Sequence, residues 1–354
     1  MRVLILVGRF HPNLTEWVEA FRLAGDDVTV ITGGDSVNRV ERVKPRIVPE
    51  NAVSQSEAEA IAREIRPDLV IIRSKEDSYR RIVKAAKGLG AKAIYYDQRA
   101  YLRKKGFKPF HRELRKAFRR FRQGHPRVGI TTTLGKGEVP RLWRHWIHVP
   151  MPVPDDIERR PYFKDGLPTV LMVGRLANEK KRHLWVLQAL EESGHPYRLL
   201  VAGAGDDSHT TRPGKRSQDY YQKVKETLAA AGHRGSVELQ EDLPHEQMAE
   251  LYLQADIFVL PSTKELLGIS VVEAMARGCA VIASNGVGAC GYISHGKDGL
   301  IFPRASYEAF RDTLHTLLSD KDYTRALGQN AAKTIKNRHG HGDFVNQIRQ
   351  IARV

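Results

Sequence analysis

The chain has 354 residues, 41% hydrophobic and 28% charged, with a formal net charge of +16. That length supports two domains with sizeable cores, and the hydrophobic content without low-complexity tracts excludes a disordered chain. No apolar run approaches the ~20 residues of a membrane-spanning helix, and two cysteines, Cys279 and Cys290, make no disulfide framework and suit a reducing compartment.

From the amino end, short β-branched runs alternate with helical patterns, the signature of parallel α/β sheets. RVLILV (2–7) opens the chain directly as a strand, with no signal-peptide layout before it, so a cytoplasmic location is expected. DVTVIT (27–32), DLVIIR (68–73), KAIYY (92–96) and RVGITT (127–132) continue the series. The turn GRFHPN (8–13) follows the first strand, and Asp97 stands at the end of the fourth.

Before the fifth strand lies YLRKKGFKPFHRELRKAFRRFRQG (101–124), with ten Lys and Arg and one acid, Glu113, between Arg103 and Arg122. Pro109 suits a first helical position, and Gly124 with Pro126 suits a stop. Phe110, Leu114, Phe118 and Phe121 fall on one stripe, beside the cations Arg103, Lys104, Lys105, Arg112, Arg115, Lys116, Arg119 and Arg120. Such a helix lies on an anionic bilayer, each cation near the surface contributing ~1 kcal/mol. The alternative is that the stripe packs on the domain's own sheet and the cations are solvated. Nucleic acid is not expected as a partner, because phenylalanines at helical spacing are no exposed stacking platform and no recognition motif accompanies them. Residues 1–150 carry 31 Lys and Arg against 16 Asp and Glu, and residues 151–354 carry 26 against 25. An anionic partner therefore meets the first half.

HVPMPVPDD (148–156), with three prolines and no periodicity, marks a linker. The expected fold is α/β, with two Rossmann-like domains, 1–150 and 151–335, facing each other across a cleft. A helical segment over 336–354 has RHGHGD (338–343) as a bend, after which a short helix can cross back to the first domain. The second strand series is TVLMVG (169–174), RLLVAG (198–203), SVELQ (236–240), DIFVLP (256–261) and CAVIAS (279–284).

Ligands of open parallel sheets bind beyond the carboxyl ends of the strands. Three features stand there. Gly174, Arg175 and Lys180 occupy the turn after the first strand of this series, and Gly203 opens the turn GAGDD (203–207) after the second. STKELLGIS, after the fourth, opens a helix over Ile269–Ala276 that is apolar on nearly every side except at Glu273, eight positions after Glu265. A buried carboxylate without a partner costs several kcal/mol or neutralises itself, so both acids need something to meet. The helix start offers amides around Leu267, Gly268, Ile269 and Ser270, where the helix dipole favours an anion by ~0.3–1 kcal/mol. With Arg175 and Lys180 adding charge-assisted bonds, a diphosphate fits. The carboxylates would accept hydrogen bonds from sugar hydroxyls, Glu273 from a ribose and Glu265 from a hexose, which describes a nucleotide sugar.

GRLANEK (174–180), followed by Glu265 and Glu273 as E-x7-E with PS before it and EAMARGCAVIAS after it, resembles the retaining glycosyltransferases of family 4, which have the GT-B fold. The likeness runs over most of 165–305. It implies that Arg175 and Lys180 bind the donor diphosphate, that Glu273 holds the ribose and Glu265 the transferred sugar, and that no divalent metal or cofactor is needed. ELLGISVVEA, without a phenylalanine before its glycine, and ACGY (289–292) are similar to the lipopolysaccharide-core glucosyltransferases. Two departures are Gly291, where a glutamate is often present, and Glu241, where many relatives have glycine near the base. Those relatives are peripheral membrane enzymes with a phosphorylated lipid acceptor. The resemblance thus implies a UDP-sugar donor, UDP-glucose or a close relative, a glycolipid acceptor such as lipopolysaccharide core, and a place on the inner face of the cytoplasmic membrane.

As the sugar–phosphate bond breaks, negative charge grows on the leaving diphosphate, which Arg175, Lys180 and the helix amides stabilise. By resemblance, the acceptor attacks from the leaving-group side with retention. Gly8, Arg9 and His11 would then meet acceptor phosphate, and Asp97 would orient or deprotonate the acceptor; a structural turn and a turn-capping aspartate fit the same residues. A transferase acting on a soluble small molecule and a sugar-nucleotide epimerase share this fold. From another class, a non-catalytic anionic-surface binding protein fits the basic arm alone. Asp320 and Asp322 around Lys321 resemble the D-x-D of a different glycosyltransferase fold but read as surface, and His339 with His341 reads as a bend rather than a metal pair.

Overall fold

The computed structural model of the protein describes residues 1–10, 14–34, 42–49, 53–73, 77–97, 127–129, 146–154, 157, 161–164, 166–205, 215–231 and 235–354. His11 and the basic arm over 101–124 lie outside them. The described residues form two compact units, one from residues 1–152 with His341–Val354 and the other from Val153–Gly340.

The first unit runs β1 (Arg2–Val7), α1 (Thr15–Leu23), β2 (Asp27–Thr32), β3 (Arg46–Ile47), α2 (Gln55–Ile65), β4 (Leu69–Ile72), α3 (Asp77–Gly88), β5 (Lys92–Asp97), β6 (Arg127–Gly129) and β7 (Trp146–His148). Among the described residues the sheet order is β3-β2-β1-β4-β5-β6-β7, with every pair parallel. β4 is buried at all four positions, as the near-continuous apolar run of a central parallel strand requires. Ser54 and Glu57 form a reciprocal capping box at the start of α2.

The last helix belongs to this unit. It spans His341–Ala352 and buries Phe344, Val345 and Ile348. Phe344 sits edge-on to Trp17 of α1 at 4.6 Å, and His341 Nε2 lies 3.0 Å from the Glu16 carboxylate. Arg349 donates twice, at 2.8 Å, to the buried Asp26 carboxylate, which also receives the Met1 amino group. The boundary falls after Gly340 rather than at 336, because the preceding helix, Lys321–His339, is unbroken over 19 residues.

The second unit runs β8 (Thr169–Val173), α4 (His183–Ser193), β9 (Tyr197–Gly203), α5 (Lys215–Ala229), β10 (Gly235–Glu241), α6 (His245–Gln254), β11 (Ile257–Leu260), α7 (Ile269–Ala276), β12 (Ala280–Ser284), β13 (Leu300–Phe302), α8 (Tyr307–Ser319) and α9 (Lys321–His339); the final helix is α10. Its sheet order is β10-β9-β8-β11-β12-β13, again all parallel. The strands β3, β7 and β13, two or three residues long, have too few positions to show a period. Asp320 caps α9 by accepting from the Tyr323 amide and Asp322 pairs with Arg325, so that acidic pair does helix-end work. Among the described residues, no helix is long and apolar enough to cross a membrane.

Replacing Arg349 by leucine removes two charge-assisted bonds to a carboxylate that solvent does not reach. We expect the first unit to lose about 2 kcal/mol, seen as a lower urea midpoint at unchanged slope. An unaltered midpoint would show that the aromatic contacts alone hold α10.

Candidate active site

The site is built where the parallel strands of the second unit end. Gly174, after β8, donates its amide to the Ala202 carbonyl at 2.9 Å, and Leu176 donates to Ala204 at 3.1 Å, so this turn lies along the end of β9. Gly203 is pressed so closely on the Gly174 carbonyl that any side chain there would collide with backbone. The turn closes in a 3-10 helix, Glu179–Lys181, started by the Asn178 side chain accepting from the Lys180 amide. The Lys180 carbonyl then accepts from the Thr263 amide at 2.9 Å, joining this turn to the loop after β11.

That loop is clamped from the other side. The Glu265 amide donates to Gly286 at 3.0 Å, its carbonyl accepts from Gly288, and Ala289 donates to Leu267. Glu265 and Val287 thus make a one-residue parallel bridge. Gly286 and Gly288 touch the carbonyls of Thr263 and Leu266 where a Cβ would have no room, which accounts for the glycines of NGVGAC. Gly268 takes a left-handed φ of 76°, and a Cβ on it would stand 2.6 Å from Val287 Cγ1. α7 follows, with no side-chain cap on its first-turn amides at Ile269 and Ser270.

The charged groups settle the question of partners. Lys181 Nζ lies 2.8 Å from Glu265 Oε1, with both side chains largely buried. It is Lys181, not Lys180, that the turn directs onto Glu265; Lys180 is exposed. The stem of Lys181 also lies along Gly174. The register is set by Arg182, which adopts a left-handed φ of 60° and reverses the chain into α4. Its guanidinium stacks on Trp185 at 3.8 Å and donates to the Arg304 carbonyl, contacts that offset the ~1–2 kcal/mol of a left-handed arginine. Arg175 is exposed at the same strand end.

Glu273 has a partner that the sequence did not announce. Tyr252, on α6 and 1% exposed, donates its hydroxyl to Glu273 Oε2 at 2.7 Å, and burial, reinforced by that carboxylate, raises the phenol well above its ordinary range. Arg277 donates to the Glu273 carbonyl one turn on. Glu241, the last residue of β10, accepts the Tyr221 hydroxyl and pairs with Lys225 at 3.0 Å. In the first unit, the Gly8 carbonyl is held by the Gly33 amide and the Thr32 hydroxyl, Arg9 is exposed, and Asp97 closes β5 opposite Gly129. Among the described residues, no three His, Cys, Asp or Glu side chains are grouped to hold a metal ion.

A family model described as glycosyl transferases group 1 matches residues 155–334, 180 of the 354 residues. The chain belongs to the glycosyl transferases group 1 family. It is 32% identical over 165 residues to a D-inositol 3-phosphate glycosyltransferase of Corynebacterium urealyticum, covering 45% of this chain and 37% of that protein. It is 28% identical over 176 residues to an alpha-D-kanosaminyltransferase of Streptomyces kanamyceticus, covering 49% and 42%. The match thus spans less than half the length of these curated relatives. Among solved structures, the Anabaena protein HepE in complex with UDP superposes with a TM-score of 0.72 over 99% of both chains at 16% identity. The apo form of the lipopolysaccharide outer core galactosyltransferase WaaB gives 0.60 over 99% of both, also at 16%. The two Rossmann-like domains are those of GT-B glycosyltransferases.

Within this group 1 domain, His183 at the start of α4 is 1% exposed. Burial above all pushes its pKa down to about 4; a Gly174 backbone hydrogen bond opposes the shift and the Lys181 charge adds to it. The neutral imidazole is therefore the folded form. As pH falls below about 6.5 the unfolded chain takes up a proton that the folded chain refuses, so stability declines from there to about pH 4 and then levels. The full decline is about 3 kcal/mol. Denaturant midpoints at pH 7.5 and pH 4.5 should show it, and His183→Leu should flatten the slope; an equally steep slope in the variant would place the effect elsewhere.

Proposed function

We propose that the protein is a retaining hexosyltransferase that moves a sugar from a nucleotide-diphosphate donor to a phosphorylated glycolipid of the cell envelope. The observation that carries the donor half is the Lys181–Glu265 pair beside the uncapped start of α7. It places a cation, a row of amides and a carboxylate together. The cation and amides suit a diphosphate, and the carboxylate suits the hydroxyls of the sugar it carries. Glu273, with Oε2 held by Tyr252, keeps Oε1 for a ribose hydroxyl. The HepE structures with UDP and with UDP-glucose support a uridine donor, UDP-glucose first among them.

In the proposed reaction the bond between the anomeric carbon and the diphosphate oxygen breaks while an acceptor hydroxyl forms its bond on the same face. The acceptor proton passes to the leaving diphosphate. Arg175, Lys181 and the Gly268–Ser270 amides stabilise charge that exists only as the bond breaks, so they lower the barrier rather than merely tighten binding. These fixed cations supply the positive charge for the leaving group, and no divalent metal has a part in the proposal. Gly8, Arg9 and His11 are assigned to acceptor phosphate and Asp97 to the acceptor hydroxyl. The basic arm at 101–124 is assigned to the inner face of the cytoplasmic membrane.

A second reading, transfer to a soluble acceptor, is favoured by the names of the relatives, which include a D-inositol 3-phosphate glycosyltransferase. Vesicle cosedimentation separates the two: the glycolipid reading expects binding to anionic vesicles and little to neutral ones. Equal binding to both, or none, would remove the membrane assignment.

For the donor site, Lys181→Ala should lower kcat/KM at least ~10²-fold, the scale for losing a transition-state electrostatic donor. Lys180→Ala should stay within about threefold, as an exposed charge does. Release of nucleotide diphosphate is the readout, and the reverse ranking of the two lysines would sink the site as built.

A further inference from the structure

An open groove of about 530 Å³ lies in the same unit between the turn Ser294–Asp298 and the face of α9 from Tyr323 to Arg338, with Lys297, Lys333 and Arg338 exposed along it. The turn precedes β13, whose Leu300 pairs in parallel with Ile282 of β12. It therefore stands at the amino ends of these strands, the opposite edge of the sheet from Gly174, Gly203 and Glu265. The two sites share no residue.

The turn is built as a fixed scaffold. Asp298, 4% exposed, accepts the Ser294 amide at 2.6 Å on one oxygen and the Thr334 hydroxyl of α9 at 2.8 Å on the other. Asn330 donates to the Lys297 carbonyl at 2.9 Å, and His295 Nδ1 accepts the Ile301 amide. Gly296, at φ 80°, allows the reversal. Both oxygens of the acid lining the groove are thus engaged in holding its wall. The charge that remains facing the space is cationic. Lys297, Lys333 and Arg338 line it, and none pairs with a carboxylate among the described residues.

Three like charges round one concavity repel each other, and their potential adds inside it. A groove of several hundred Å³ is the size of a small-molecule site. The guanidinium fork of Arg338 matches phosphate oxygens in pairs, and the lysines serve as point charges for the same group. Ser294, Tyr323 and Asn330 bring polar atoms suited to hydroxyls. We propose that this groove binds a small phosphate-bearing polyol, independently of the site at the strand carboxyl ends. The phosphate is held by Lys297, Lys333 and Arg338. Such a ligand has two sources, a free sugar phosphate or the headgroup of a phospholipid.

Isothermal titration with glucose 6-phosphate and with glycerophosphoglycerol tests the proposal and tells the sources apart. The full chain carrying Lys181→Ala keeps the probe from the other site. Saturable 1:1 binding is expected, weakened by about tenfold for each cation lost in Lys297→Ser, Lys333→Ser and Arg338→Ser. Stronger binding of the monoester supports a free sugar phosphate, and equal binding of the diester supports a headgroup. Lys333→Glu should weaken binding more than Lys333→Ser, which separates charge from any loss of packing. No saturable binding of either probe would overturn the proposal. So would affinity unmoved by the three serine substitutions. Because the probes carry no nucleotide and the substitutions at 297, 333 and 338 lie at the strand amino ends, their effect is read whether or not the donor reading holds.

Discussion

Close backbone contact at the carboxyl edge of the second sheet is the constraint on which the site depends. Gly203 against Gly174, Gly286 against Thr263 and Gly288 against Leu266 bring peptide groups to distances at which no Cβ fits. Hydrogen bonds at 2.6–3.3 Å then join the loops in pairs. Two turns from distant parts of the sequence, 174–182 and 262–268, become one rigid surface through the Thr263 amide and the Lys180 carbonyl. Without that surface, Lys181 and Glu265 would be two mobile side chains on separate loops. With it, their separation is fixed by backbone.

A site of this kind must hold unlike charges near each other without cancelling their use. The Lys181–Glu265 pair is partly buried, where an ion pair is worth more than on the surface but its desolvation also costs more. In the proposed donor complex a diphosphate offers Lys181 a second anion and a sugar hydroxyl offers Glu265 a donor, so binding would replace one compensated arrangement with another. Glu273 is treated differently. Its partner, Tyr252, is neutral and buried, and a phenol with its pKa raised donates a hydrogen bond without adding charge. His183 follows the same logic behind Gly174, where burial keeps it neutral and the cations of the turn have no competing positive charge beneath them.

Much of this was legible in the sequence, for physical reasons that differ from element to element. Parallel strands buried on both faces must be continuous apolar runs, and RVLILV, DLVIIR and CAVIAS are such runs. The bounds of α7 were readable because an apolar octet follows a glycine, and Glu273 was conspicuous as its one charge. The pairing of Lys181 with Glu265 was not legible because EKKR holds two adjacent lysines, and telling which one turns toward Glu265 needs the conformation of the next residue. A glycine at 182 would have signalled the left-handed turn; Arg182 conceals it, and its stacking on Trp185 is visible only in the structure. Tyr252 was missed because a tyrosine in an amphipathic helix reads as core, and its bond to Glu273 joins residues 21 positions apart.

The match to the group 1 family and the distribution of charge point to a division of labour between the halves. The family model covers residues 155–334, the second unit almost alone, and that half is electrically near balance. Recognition of a donor needs only a few fixed charges at one strand edge, and the glycine contacts that fix them tolerate little change. The first half carries nearly all of the excess positive charge and lies outside the family match. Long-range attraction to an anionic partner depends on the sum of charges rather than on their exact placement. Such a surface can change its residues freely while keeping its sign. The family match accordingly falls in the half where backbone contact sets the geometry.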